Sequence, residues 1–125
     1  MRSYRDLAFL ASLSAIAIDS HINEGVKEKD YSNVKELAKE LDRLSKEQVD
    51  PTGLVMLAEV IWPNNEDLKG KEKYDVYRQI NLLAKDLACF KEFPREGQEE
   101  LRDVCVELSR RSMYYSNPYR LELAA

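Results

Sequence analysis

The sequence predicts an all-α protein, a single-domain antiparallel bundle of about five helices around a central N-terminal helix. Three observations lead there. The chain has four glycines and four prolines, and nearly all stand where a helix should begin or end. Gly25 follows one apolar segment, Pro51 and Gly53 open another, and Pro63 closes it. Gly70 precedes a third segment, Pro94 and Gly97 separate it from a fourth, and Pro118 follows that. Gly and Pro cost roughly 1 and 3 kcal/mol inside a helix relative to Ala, so this placement leaves long uninterrupted helices between the borders. Second, apolar residues recur at spacings of three and four in these segments. Third, no segment shows the period-two alternation of a half-buried strand.

The first helix is expected over roughly residues 3–23. Leu7, Phe9, Leu10, Leu13, Ile16 and Ile18 share no single face, and a helix apolar all round is normally buried on most sides. Ala8, Ala11, Ser12, Ala15 and Ala17 would let neighbours approach closely, and Gly25 can end the helix in the left-handed conformation. The second helix, roughly 33–45 after a Ser32 or Asp30 cap, carries Tyr31, Val34, Leu37, Ala38, Leu41 and Leu44 as one stripe opposite Lys, Glu and Arg. The third opens on Asp50 and Pro51, a cap oxygen followed by a residue suited to the first helical position. Its Leu54, Val55, Met56, Leu57, Val60, Ile61 and Trp62 surround a lone charge, Glu59.

The fourth helix, roughly 71–92, places Val76, Ile80, Leu83, Leu87 and Phe90 on one face, widened by Tyr77 and Ala84. The fifth, roughly 98–115, lines up Leu101, Val104, Cys105, Leu108, Ser112 and Tyr115. Its early Glu96, Glu99 and Glu100 and late Arg110 and Arg111 suit the helix dipole. The short link over 93–97 makes these two helices an antiparallel hairpin. One domain over 1–125 is expected, with 116–125 a docking or flexible tail.

Composition limits function. The chain is 44% apolar and 34% charged, the balance of a globular protein. A net charge of -4 argues against a general nucleic-acid binder, which needs a basic surface. Two cysteines suit a reducing, cytoplasmic setting. Met1–Arg5 followed by an apolar run over 7–18 and Ala15-Ile16-Ala17 has the outline of a secretory leader. Asp6, Ser12 and Ser14 interrupt it, so the segment is read as a retained helix, and no membrane span is expected because a bilayer takes about 20 apolar residues.

Few residues point to chemistry. His21 stands near a helix end with Asp19 and Glu24 close in sequence but no nucleophile beside it. One His and two distant Cys make no zinc set. Cys89 and Cys105 fall on different faces and are read as free thiols. Glu72 and Asp75 open the fourth helix, and Glu99, Glu100 and Asp103 open the fifth. Carboxylates three or four apart share a helical face. These two motifs resemble those of all-α nucleotide pyrophosphohydrolases of the MazG kind. The resemblance implies Mg²⁺ held by Glu72, Asp75, Glu99 and Asp103 for phosphohydrolysis. The helix dipole alone also places acids at helix starts, and that reading is preferred, with no metal and no cofactor.

Lys69, Lys71, Lys73, Tyr74 and Arg78 form one basic-aromatic group, and Arg110, Arg111, Tyr114, Tyr115, Tyr119 and Arg120 another. Tyr and Arg favour protein interfaces, while aromatics beside Arg also suit single-stranded nucleic acid. The sequence is therefore read as a non-enzymatic interaction protein, a small subunit or regulator of a larger assembly that self-associates. Met56, Val60, Trp62, Tyr115 and Tyr119 are its expected interface residues. The alternatives are the Mg²⁺-dependent phosphohydrolase and a nucleic-acid-contacting subunit of a nucleoprotein complex.

Overall fold

The computed structural model describes residues 3–24, 31–47, 51–62, 70 and 72–117. These form five α-helices: α1 Tyr4–Glu24, α2 Ser32–Lys46, α3 Pro51–Ile61, α4 Lys73–Ala88 and α5 Arg95–Ser116. A 3₁₀ turn, Phe90–Glu92, links the last two. No strand occurs among the described residues.

The helices pair in a ring. α1 packs most extensively on α5, and also on α2; α2 packs on α4; α3 lies against both α4 and α5. Direction follows from cross-helix contacts. Tyr4 meets Tyr115 and Asp19 meets Arg102, so α1 and α5 are antiparallel. Asn81 reaches Asp42 from α4 to α2 with a 3.0 Å hydrogen bond. The core draws on all five helices, with Leu7, Ile18, Leu37, Leu41, Met56, Ile80, Leu87 and Leu108 each under 2% exposed.

α2 follows its sequence stripe: Val34, Leu37, Ala38, Leu41 and Leu44 are buried. Its expected cap differs, because Tyr31 rather than Ser32 or Asp30 takes the N-cap position. Glu72 caps α4, and α4 stops at Ala88, four residues short of Glu92, where the chain tightens into the 3₁₀ turn. Gln98 secures that turn by donating from Nε2 to the Phe93 carbonyl at 3.0 Å. Gly97 falls inside the first turns of α5 instead of separating two helices, and Gly53 is buried within α3. Gly70 has φ of 82°, the left-handed conformation glycine adopts freely.

α1 has the largest packing role but is not enclosed. Leu7, Ala11, Ser14 and Ile18 turn inward while Phe9, Leu13 and Ile16 face solvent. A ring of helices gives each member one inner face, so no described helix covers the apolar residues on the far side of α1. α4 and α5 run antiparallel, as the short link requires, yet a groove separates them and α3 fills the space beneath.

Candidate functional site

His21 belongs to an aromatic cluster. Its Nδ1 lies 3.0 Å from the Tyr31 hydroxyl, and its ring meets Phe90 edge-on at 5.4 Å. Tyr31 and Phe90 are 5.3 Å apart, and Lys91 Nζ sits 4.0 Å above the Tyr31 ring. Burial pushes the Tyr31 phenol above its ordinary pKa, which keeps it protonated. The cluster ties α1, the start of α2 and the 3₁₀ turn together. Asp19, near His21 in sequence, is held instead by Arg102 at 2.8 Å and Asn23 at 3.0 Å.

The carboxylates expected to share a metal are not brought together. Glu72 and Asp75 begin α4, whereas Glu99 and Asp103 begin α5, beyond the other end of α4. A sixteen-residue helix puts roughly 24 Å between those ends. Each group also has local work. Asp75 Oδ2 accepts from the Glu72 N–H at 2.9 Å, the reach-back arm of a capping box, which explains the spacing of three. Glu99 pairs with Arg95 at 3.0 Å and Asp103 with Arg102 at 3.2 Å. Among the described residues no three His, Cys, Asp or Glu gather closely enough to hold a metal. Cys89 and Cys105 are free thiols.

The apolar surface expected on α3 is covered inside the monomer. Met56 is 0% and Val60 5% exposed, Trp62 is half-buried, and Val55 is the large apolar residue of α3 left in solvent. The Ser112 hydroxyl donates to Met56 Sδ at 3.6 Å. Tyr115 is also half-buried, donating to Glu59 Oε1 at 3.1 Å. Glu59 in turn accepts from Arg111 at 2.8 Å, and Arg111 holds Glu107 at 2.7 Å. Burial and the Glu59 hydrogen bond raise the Tyr115 pKa. Tyr119 lies outside the described residues, as do Arg120 and Lys69.

Two surfaces remain that chemistry within the monomer does not use. The first is the outer face of α1, where Phe9, Leu13 and Ile16 are 53, 47 and 57% exposed. Spacings of four and three align them in one row over two turns. The Arg5 guanidinium lies 6.0 Å over the Phe9 ring at one end. On α5, Val106 and Met113 are also exposed, and they share the side of the helix from which Arg102 reaches α1. The sequence shows the spacing of this row but not which side of α1 faces solvent, since apolar residues go all round the helix.

The second surface comprises grooves on either side of α4. One, of about 250 Å³, runs between α4 and α5, lined by Leu82, Leu83, Phe93, Leu101 and Val104 with Asp86 and Glu100 at its edges. The other, of about 410 Å³, follows the α2–α4 seam, with Ala38, Ala84 and Ala88 as its floor and Lys35, Lys39 and Lys85 around it. No described helix is long and apolar enough to cross a membrane. Comparison with family models, curated proteins and solved structures finds no match to this chain.

Proposed function

We propose that this protein is a non-enzymatic interaction protein, a small subunit or regulator of a larger assembly, and that it self-associates through the outer face of α1. The observation that carries this reading is the row Phe9, Leu13 and Ile16, each about half exposed on a helix whose opposite face is fully buried. Burying one such side chain completely is worth roughly 1.5–3 kcal/mol. Half of that for each of three leaves several kcal/mol recoverable by a covering helix. Association also costs at least about 4 kcal/mol in lost freedom. The neighbouring Val106 and Met113 extend the patch toward what a stable contact needs. The free thiols Cys89 and Cys105 suit a reducing, cytoplasmic setting.

Multi-angle light scattering in about 0.5 M salt, which screens surface charge, tests the reading. The native chain should show a mass above that of the monomer at tens of micromolar. Leu13→Gln with Ile16→Gln should return it to monomer with an unchanged helical circular-dichroism spectrum. A native monomer under these conditions, or an oligomer indifferent to the double variant, overturns the proposal.

A further inference from the structure

The α2–α4 groove is apolar at its floor and cationic at its edges. Lys35 and Lys39 stand one turn apart on α2, Lys85 faces them from α4, and Lys91 follows just beyond the end of that helix. None of these four lysines has a carboxylate partner among the described residues. The other cations of the bundle are mostly committed. Lys46 takes Asp42, Arg43 takes Glu40 and Glu47, and Arg102 and Arg111 join helices. Asp42, the acid lining the groove, is held by Lys46 and Asn81. The seam is therefore a local excess of positive charge on a chain whose net charge is -4.

The complementary surface lies on the same chain. The start of α5 carries Glu96, Glu99, Glu100 and Asp103 over eight residues, about 10 Å of helix, with Glu99 paired to Arg95 and Asp103 to Arg102. Glu96 and Glu100 are exposed and have no cation partner among the described residues. The lysine-edged groove and this stretch of α5 are opposite in sign.

We infer that the α2–α4 groove of one copy receives the acidic start of α5 from a second copy. A chain cannot make this contact with itself. Ala84, Lys85 and Ala88 face α2, whereas Leu83 and Asp86 line the groove toward α5 on the other side of α4. The small alanine floor allows a helix to lie close, and the aliphatic stems of Glu cover it while the carboxylates reach the lysines. The contact is heterologous, so it propagates as a ring or an open chain of subunits. It is electrostatic and exposed, hence weak and sensitive to salt. It shares no residue with the α1 face.

Sedimentation velocity on the full chain carrying Leu13→Gln and Ile16→Gln, which removes the apolar contact, isolates it. In about 25 mM NaCl the average mass at high concentration should exceed the monomer, and in about 500 mM it should fall to the monomer. Lys35→Glu with Lys39→Glu and Lys85→Glu should weaken association at least tenfold, and so should Glu96→Lys with Glu100→Lys. All five positions are exposed, so circular dichroism should show the fold intact. An equimolar mixture of the two charge-reversed chains should associate again, because each supplies the sign the other has lost. Absence of salt-dependent mass, indifference to either reversal, or a mixture that stays monomeric overturns the inference.

Discussion

Arg111 Nη1 lies 2.8 Å from Glu59 Oε2, joining α3 to the C-terminal half of α5 across 52 residues of sequence. Glu59 is the lone charge of α3, and it does not face open water. Its two oxygens are divided between Arg111 and the Tyr115 hydroxyl. The pair fixes the rotation of an eleven-residue helix whose apolar residues go nearly all round and so give it no unique inner face.

Removing Arg111 leaves Glu59 with the Tyr115 hydroxyl and Glu107 with the exposed Arg110 at 3.4 Å. Arg111→Met should destabilise the protein by about 1–2 kcal/mol, the range for a half-exposed charged hydrogen bond. Denaturant unfolding of Arg111→Met, Glu59→Gln and the double variant gives the coupling energy. A coupling near zero would place the pair among ornamental surface ion pairs.

α1 offers an internal comparison between neighbouring leucines. Leu10 is 5% exposed and Leu13 47%. Leu10→Ala should cost about 2–4 kcal/mol as a buried truncation, and Leu13→Ala less than about 1 kcal/mol. Equal losses in urea melts would mean that α1 is rotated or enclosed.

The Tyr77 hydroxyl is buried with no hydrogen-bond partner among the described residues. Such a group forfeits its water contacts for nothing. Tyr77→Phe should therefore raise stability by about 1 kcal/mol, visible as a higher denaturation midpoint at unchanged slope.

Asp75 acts as a cap. Asp75→Ala should lower stability by about 0.5–1 kcal/mol through the lost hydrogen bond to the Glu72 N–H. The loss should be the same with and without Mg²⁺. A melting temperature raised by Mg²⁺ in the native chain and not in Asp75→Ala would restore the metal reading.

Burial pushes the Cys105 thiol from its ordinary 9.0 up to about 12. Between those values the folded thiol keeps its proton and the unfolded one loses it, so stability falls as pH rises, at up to about 1.4 kcal/mol per pH unit. Tyr31 and Tyr115, also raised by burial from 10.0, add to the loss at higher pH. Urea melts from pH 8 to 11 should show the decline beginning near 9 in the native chain and near 10 in Cys105→Ala. An identical onset in both would remove Cys105 from the account.

What the sequence could reveal depended on how one-sided each helix is. α2 was legible because Val34, Leu37, Leu41 and Leu44 fall in one stripe against a charged back. α1 was not, because Leu10 and Leu13 are chemically alike and only the positions of the neighbouring helices separate them. The interface reading of Met56 and Val60 failed to foresee that α3 lies across two helices, which cover it from both sides. The carboxylate sets could have been separated from topology alone. Successive antiparallel helices start at opposite ends of a bundle, so Glu72 and Glu99 cannot meet. The partners of His21 and Glu59 come from other helices, at distances in sequence that no local spacing encodes.

The pairing of α1 with α5 also orders events in time. Asp19 and Arg102 are 83 residues apart, and a ribosome adds about 5–20 residues each second. The inward face of α1, with Leu7, Ala11 and Ile18, must therefore wait seconds for its main partner while α2 and α4 can already dock on each other. During that interval α1 has α2 to pack on, and the side of α1 that will meet α5 stays open until α5 has been made.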